Sequence, residues 1–184
     1  KIILEGPEDL LQQTQNTQPA ILTVSYSIFK VFKKEFGMNL KKFKYFAGHS
    51  LGEYSALVCA ESLKFNDALF LLHERGKAMQ EAVPIGKGKM IAILGMSIDD
   101  ITVLIKSNSK ENGICEIAND NSNGQVIVSG DVKTVESFED LLKVQKVKFI
   151  PLKVSAPFHC SLMRPAAEIM SDKIYKTDFK KPFV

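Results

Sequence analysis

A chain of 184 residues, 45% of them hydrophobic, can bury the core of one domain, or of one domain carrying a small insert. A net charge of +3 is too small to point to nucleic acid, no apolar run approaches the ~20 residues of a membrane span, and no secretory signal pattern is visible. Cys59, Cys115 and Cys160 are odd in number and widely spaced, which argues against a disulfide scaffold or a zinc cluster and fits a reducing cytoplasm.

In chain order, "TQPAILTVSYSIFKVFKKEFG" predicts a helix capped by Thr17, with Pro19 in its first turn and Gly37 at its end. The lysine-rich stretch that overlaps it, "FKVFKKEFGMNLKKFK", reads as a solvated helix end and loop. "KYFAG" reads as a short buried strand, and "LGEYSALVCAESL" as an apolar helix after it. A further helix starts at Asn66 or Asp67 and runs to about Val83, stopped by Pro84 and Gly86.

From Gly86 to about Ser155 the texture changes. "KMIAILGM" is strand-like, "SIDDITVLIKSNSK" is a helix opening on Ser97 as its cap, and "ICEIAND" and "QVIVSG" are strands joined through Asn121-Ser122-Asn123-Gly124. "VKTVESFEDLLKVQ" is a second helix and "KFIPLKV" a fourth strand. The order β-α-β-β-α-β is that of a ferredoxin-like unit, here inserted into a main α/β domain. The expected division is 1–86 with 156–184 for the core and 87–155 for the insert. With so few strands outside the insert, the chain reads as a fragment lacking both flanks.

Between the expected strand and helix stands Gly48-His49-Ser50-Leu51-Gly52, the G-x-S-x-G pattern of a nucleophile elbow. Such a turn projects the serine hydroxyl above the sheet edge. The helix after it directs N–H groups and positive dipole toward developing negative charge, the Leu51 N–H being the expected oxyanion donor. A serine needs a base, and three histidines exist. His49 is adjacent to Ser50 and leaves the turn in another direction. His73 falls among Lys77 and Gln80 on a helical wheel and reads as a surface residue. Elimination leaves His159, in "SAPFHCSLM". Cys160 beside it has no elbow and reads as filler.

Of the 24 basic residues only Arg75 and Arg164 are arginines, so arginine is kept where a planar fork of donors is needed. Arg75 shares a helical stripe with Ala68, Leu72, Met79 and Ala82. A guanidinium on an apolar face requires an anion, either an internal carboxylate or a carboxylate on the substrate. Serine, histidine and arginine together suggest acyl transfer from an acid-bearing donor.

"GHSLGEYSALVCA", "RGKAMQEAVP", "NSNGQVIVSG", "SAPFHCSLM" and "TQPAIL" resemble, in order and over nearly the whole chain, the malonyl-CoA:acyl-carrier-protein transacylases of bacterial fatty acid synthesis. The resemblance implies an α/β-hydrolase-like core with a ferredoxin-like insert. It implies that Ser50 takes malonyl from malonyl-CoA as an ester and that the phosphopantetheine thiol of acyl carrier protein accepts it. His159 would serve as general base and acid, Arg75 would clamp the malonate carboxylate, and Gln18 would line the site. Leu51 and Phe158 match residues that disfavour an extra methyl branch on the acyl group. No permanently bound cofactor or metal is implied, and the full-length form would be a monomer. The family's G-Q-G-S-Q segment and the downstream Asn or Gln that orients the histidine have no counterpart here. Two rival readings use the same residues. One is a serine esterase or thioesterase, for which Asp131 or Glu139 would have to orient the base; the other is an inactive carrier-protein-binding module.

Overall fold

A computed structural model describes residues 1–108, 113–154 and 156–183. Ser109 and Lys110, expected to finish the helix after Ser97, and Ser155, the expected last residue of the insert, lie outside the described residues. The protein is of the α/β class. Its contacts divide it into two compact units, Lys1–Ala78 with Ile169–Val184, and Met79–Glu168.

The first unit is helical. Two single turns, α1 (Ile2–Glu5) and α2 (Glu8–Leu11), precede the long α3 (Thr14–Glu35). After them come α4 (Gly52–Cys59) and α5 (Phe65–Ala82), whose residues to Ala78 belong here. Leu22 of α3, Val58 of α4, Ala68, Leu71 and Leu72 of α5, with Leu63 and Met170, form the buried cluster. Tyr26 stacks on Phe65 with ring centroids 5.0 Å apart. The loop after α4 is tied to the C-terminal segment by reciprocal bonds: Lys180 N–H donates to the Ser62 carbonyl at 2.8 Å, and Ser62 Oγ to the Lys180 carbonyl at 2.6 Å.

Two expectations fail in this unit. Thr17 is not a cap: α3 starts three residues earlier, after Gln13, and the Thr17 hydroxyl donates to the carbonyls of Leu11 and Gln13. Pro19 therefore lies inside the helix. "KYFAG" is not a buried strand; it has no regular structure, and Tyr45 is 84% exposed. A strand needs a neighbouring ladder, and among the described residues of this unit there is none to pair with.

In the second unit the elements are β1 (Gly88–Leu94), α6 (Ile98–Asn108), β2 (Cys115–Ser122), β3 (Gln125–Asp131), α7 (Val132–Val144) and β4 (Lys148–Pro151). The sheet order is β2-β3-β1-β4 and every neighbour pair is antiparallel. The alternation of a strand separates two apolar faces. Ile91 and Ile93 point with Val126 and Val128 to a core that takes Ile101 from α6 and Val135, Phe138 and Leu142 from α7. Met90, Ala92 and Ile127 form a smaller cluster with Ala118, Leu152 and Phe158. Ser97 caps α6 as expected, accepting from the Asp100 N–H at 3.2 Å. Strand β4 is shorter than "KFIPLKV" suggests. The β2–β3 hairpin closes from Ser122 to Gln125, leaving Asn123-Gly124 as its turn. A further helix, α8 (Arg164–Tyr175), follows a 3-10 turn at Ser161–Met163; its residues from Ile169 belong to the first unit.

Asp131 caps α7. Its carboxylate accepts from the N–H groups of Thr134 (2.9 Å) and Ile114 (2.6 Å) and from Thr134 Oγ1 (2.8 Å). Burial pushes its pKa up, but these bonds outweigh that and hold it below the usual aspartate value. The stability contributed by the ionised form is present above the unfolded pKa and is lost as pH falls through the depressed folded value. Asp131→Ala is expected to cost about 0.5–2 kcal/mol at neutral pH, the range for a lost cap, with the deficit shrinking in acid. Thermal melting across that pH range checks it; a variant as stable as the parent at pH 7 would contradict it.

Candidate active site

The serine turn sits at the start of α4. Gly52 N–H donates to the His49 carbonyl at 2.8 Å, Glu53 N–H to Ser50 at 3.2 Å and Tyr54 N–H to Leu51 at 3.1 Å. Ser50 is held at φ 52°, a left-handed conformation uncommon for a residue with a side chain. Such conformations cost energy and cluster at functional sites. A Cβ on Gly48 would overlap the Gly52 carbonyl, so the turn closes only with glycine there; Gly52 itself has open space where a Cβ would lie. Leu51 stands at the N-cap of α4, at the positive end of the helix dipole. Its side chain packs against the first unit's core. It also lines a cleft of about 470 Å³ with Ile21, Ser25, Phe29, His49 and Ser55.

Arg75 reaches this turn from α5. Its Nη2 donates to Ser50 Oγ at 3.0 Å and its Nη1 to Gln18 Oε1 at 2.5 Å. Gln18, buried on α3, in turn donates to Thr14 Oγ1 at 3.1 Å. Among the described residues no Asp or Glu lies within ion-pair distance of Arg75. The internal carboxylate that a half-buried guanidinium invites is not found, and its hydrogen-bonded partners Ser50 and Gln18 offer uncharged oxygens. Burial lowers the guanidinium pKa, while Tyr54 and Glu53 act to raise it. The cation thus touches both the nucleophile candidate and the amide. Thr14, which orients Gln18 from one helical turn away, was not foreseen; its spacing of four from Gln18 is the signal that could have found it.

His159 and Phe158 belong to the second unit, on the segment 156–163. That segment is anchored on both sides of the histidine. Phe158 N–H donates to Met90 Sδ at 3.3 Å and its ring packs on the Met90, Ala92 and Ile127 cluster. Ser161 donates to the Glu116 carboxylate twice, from N–H at 2.7 Å and from Oγ at 2.6 Å. Between these pins His159 is half-buried and held at φ 59°. Cys160 Sγ donates to the Pro157 carbonyl at 3.2 Å. Burial pushes its thiol pKa up, which keeps it protonated near neutral pH, the opposite of an activated nucleophile.

The acids that a hydrolase triad would require are committed elsewhere. Asp131 caps α7, and Glu139 pairs with Lys89 at 2.9 Å. Among the described residues no group of three His, Cys, Asp or Glu side chains could hold a metal ion, and no helix is long and apolar enough to cross a membrane.

All of residues 1–184 match the acyl transferase domain family. The chain belongs to that family. A similar relative is the malonyl CoA-acyl carrier protein transacylase of Bacillus subtilis, 43% identical over 180 residues, which are 97% of this chain and 56% of the relative. Among solved structures, the malonyl CoA-acyl carrier protein transacylase of Coxiella burnetii superposes with a TM-score of 0.94 at 39% identity, over 100% of this chain and 57% of that one. A second, described as a type II PKS acyl-carrier protein in complex with its malonyl-transacylase, gives a TM-score of 0.92 at 41% identity, over 98% and 58%. This acyl transferase chain spans about half the length of the curated relatives it matches.

Proposed function

We propose that this acyl transferase carries malonyl from malonyl-CoA to the phosphopantetheine thiol of an acyl carrier protein, in a cytoplasmic setting, through an ester on Ser50. The observation that carries the reading is the Arg75 fork, which touches Ser50 Oγ while no carboxylate among the described residues lies within ion-pair distance of it. A guanidinium beside a nucleophile selects an acyl group that brings its own anion, and malonyl carries a free carboxylate at the end of a short chain. Gln18, hydrogen-bonded to the same guanidinium, orients the fork.

In the first half-reaction Ser50 Oγ attacks the thioester carbonyl and gives up its proton to a base. The tetrahedral oxyanion forms with the Leu51 N–H as donor. The C–S bond breaks, and the coenzyme A sulfur leaves with that proton. In the second half-reaction the carrier thiol loses its proton to the same base and attacks the ester. Ser50 then recovers a proton as it leaves. His159 is the base we assign: His49 is exposed beside Ser50, His73 is engaged elsewhere, and His159 is held in a strained conformation by anchors on both sides. Leu51 and Phe158 are assigned to excluding branched acyl groups.

The chain folds as an α/β-hydrolase-like core over 1–86 and 156–184, with a ferredoxin-like subdomain over 87–155. The β-α-β-β-α-β element order with its antiparallel sheet supports the second.

Mass analysis of the protein after incubation with malonyl-CoA, then with phosphopantetheinylated carrier protein, tests the function: one malonyl group appears on Ser50 and then on the carrier. Release as free malonate in place of transfer would mark a hydrolase, and no adduct a binding module. For Arg75, Arg75→Ala is expected to weaken malonyl transfer by about 10- to 150-fold, the ~1.5–3 kcal/mol of a charged hydrogen bond, while sparing acetyl transfer. Arg75→Lys does not restore the parent rate, because an ammonium cannot reproduce the fork. Equal losses for both acyl groups would assign Arg75 to structure alone.

A further inference from the structure

Pro19 lies inside α3, and a proline has no N–H to give to the carbonyl four residues before it. The carbonyl so deprived is that of Gln15. His73, an exposed residue of α5, places Nδ1 3.1 Å from that oxygen. A carbonyl only accepts, so Nδ1 carries the proton, in the neutral tautomer or the imidazolium. Beside this bond the two backbones are in close approach: a Cβ on the buried Gly76 would overlap Cα and N of Gln15 and the Thr14 carbonyl. Two residues along α5 from His73 stands Arg75, and three residues along α3 from Gln15 stands Gln18, whose side chains are themselves bonded at 2.5 Å.

We infer that His73 is a positioning residue: it supplies the hydrogen bond that Pro19 removes and so locks the first turn of α3 against α5, holding Gln18, and through it the Arg75 fork, in register beside Ser50. The chain of contacts is continuous. His73 fixes the Gln15 carbonyl, Gly76 admits the α3 backbone at contact distance, Thr14 and Gln18 lie on that same turn, and Gln18 bonds Arg75. The link to acyl selection rests on the malonyl reading above; the lock between the helices does not.

His73→Leu removes the donor and keeps an exposed site filled, while His73→Asn offers a side-chain N–H at nearly the same reach. Two readouts decide. In His73→Leu, hydrogen exchange at the amides of residues 14–18 and at the Gln18 side-chain amide is expected to quicken, and the preference for malonyl-CoA over acetyl-CoA in labelling Ser50 to fall by about three- to tenfold, the scale of one neutral hydrogen bond. His73→Asn restores both. Unchanged exchange overturns the lock. Faster exchange or a lower melting temperature with an unchanged malonyl-to-acetyl ratio overturns the positioning role and leaves an ordinary helix contact. If the parent protein takes no malonyl onto Ser50, the malonyl reading fails by that control, and exchange at the Gln18 side chain still decides whether His73 positions it.

Discussion

Ser50→Ala protein mixed with malonyl-CoA stays unlabelled, and transfer to carrier protein falls to background, a loss on the order of 10⁴–10⁶-fold as when a serine nucleophile is removed elsewhere. The expectation rests on the turn more than on the motif. Ser50 is fixed at φ 52° at the head of α4, so its hydroxyl is displayed where the helix dipole and the Leu51 N–H favour an incoming oxyanion. Arg75 touches the same hydroxyl. Mass mapping of the labelled parent protein locates the ester. Label that persists in Ser50→Ala, above all on Cys160, would overturn the assignment. The raised pKa of that thiol argues against such an outcome.

His159→Ala is expected to slow acylation of Ser50 by about 10²–10⁴-fold, the usual worth of a positioned acid–base group. The fold should survive. The segment is held by Phe158 on the Met90 cluster and by the Glu116–Ser161 bonds, none of which uses the imidazole. Single-turnover labelling with malonyl-CoA measures the rate, and added imidazole should restore part of it. The pH profile separates this role from a structural one: the parent gains rate as a base deprotonates, and the variant loses that limb. A variant that labels as fast as the parent would end the assignment of His159.

Local signals carried the second unit well. Ser97 before an acidic first turn, alternating Ile91 and Ile93, and an amphipathic 132–144 segment each specify their element through neighbours within a few residues. Failures came where the deciding partner is distant or absent from the local pattern. "KYFAG" has strand composition, but a strand exists only against a ladder that the segment does not itself supply. The start of α3 was misplaced because its N-cap, Gln13, makes no side-chain cap bond, while Thr17, a good cap by type, spends its hydroxyl on two carbonyls behind it. At the site, the helical wheel exposed Arg75 as out of place on an apolar stripe. That its partners would be the oxygens of Gln18 and Ser50, 57 and 25 residues away, is not written in any local period.

The arginine is a half-buried cation hydrogen-bonded to two uncharged oxygens, and that condition bears on stability as well. Folding has already met part of the cost of stripping water from the guanidinium, which Glu53 offsets only from beyond ion-pair distance. Whatever anion later settles there recovers part of that cost, and by linkage it does so as stability of the folded chain. Occupancy and resistance to unfolding are therefore coupled at this residue.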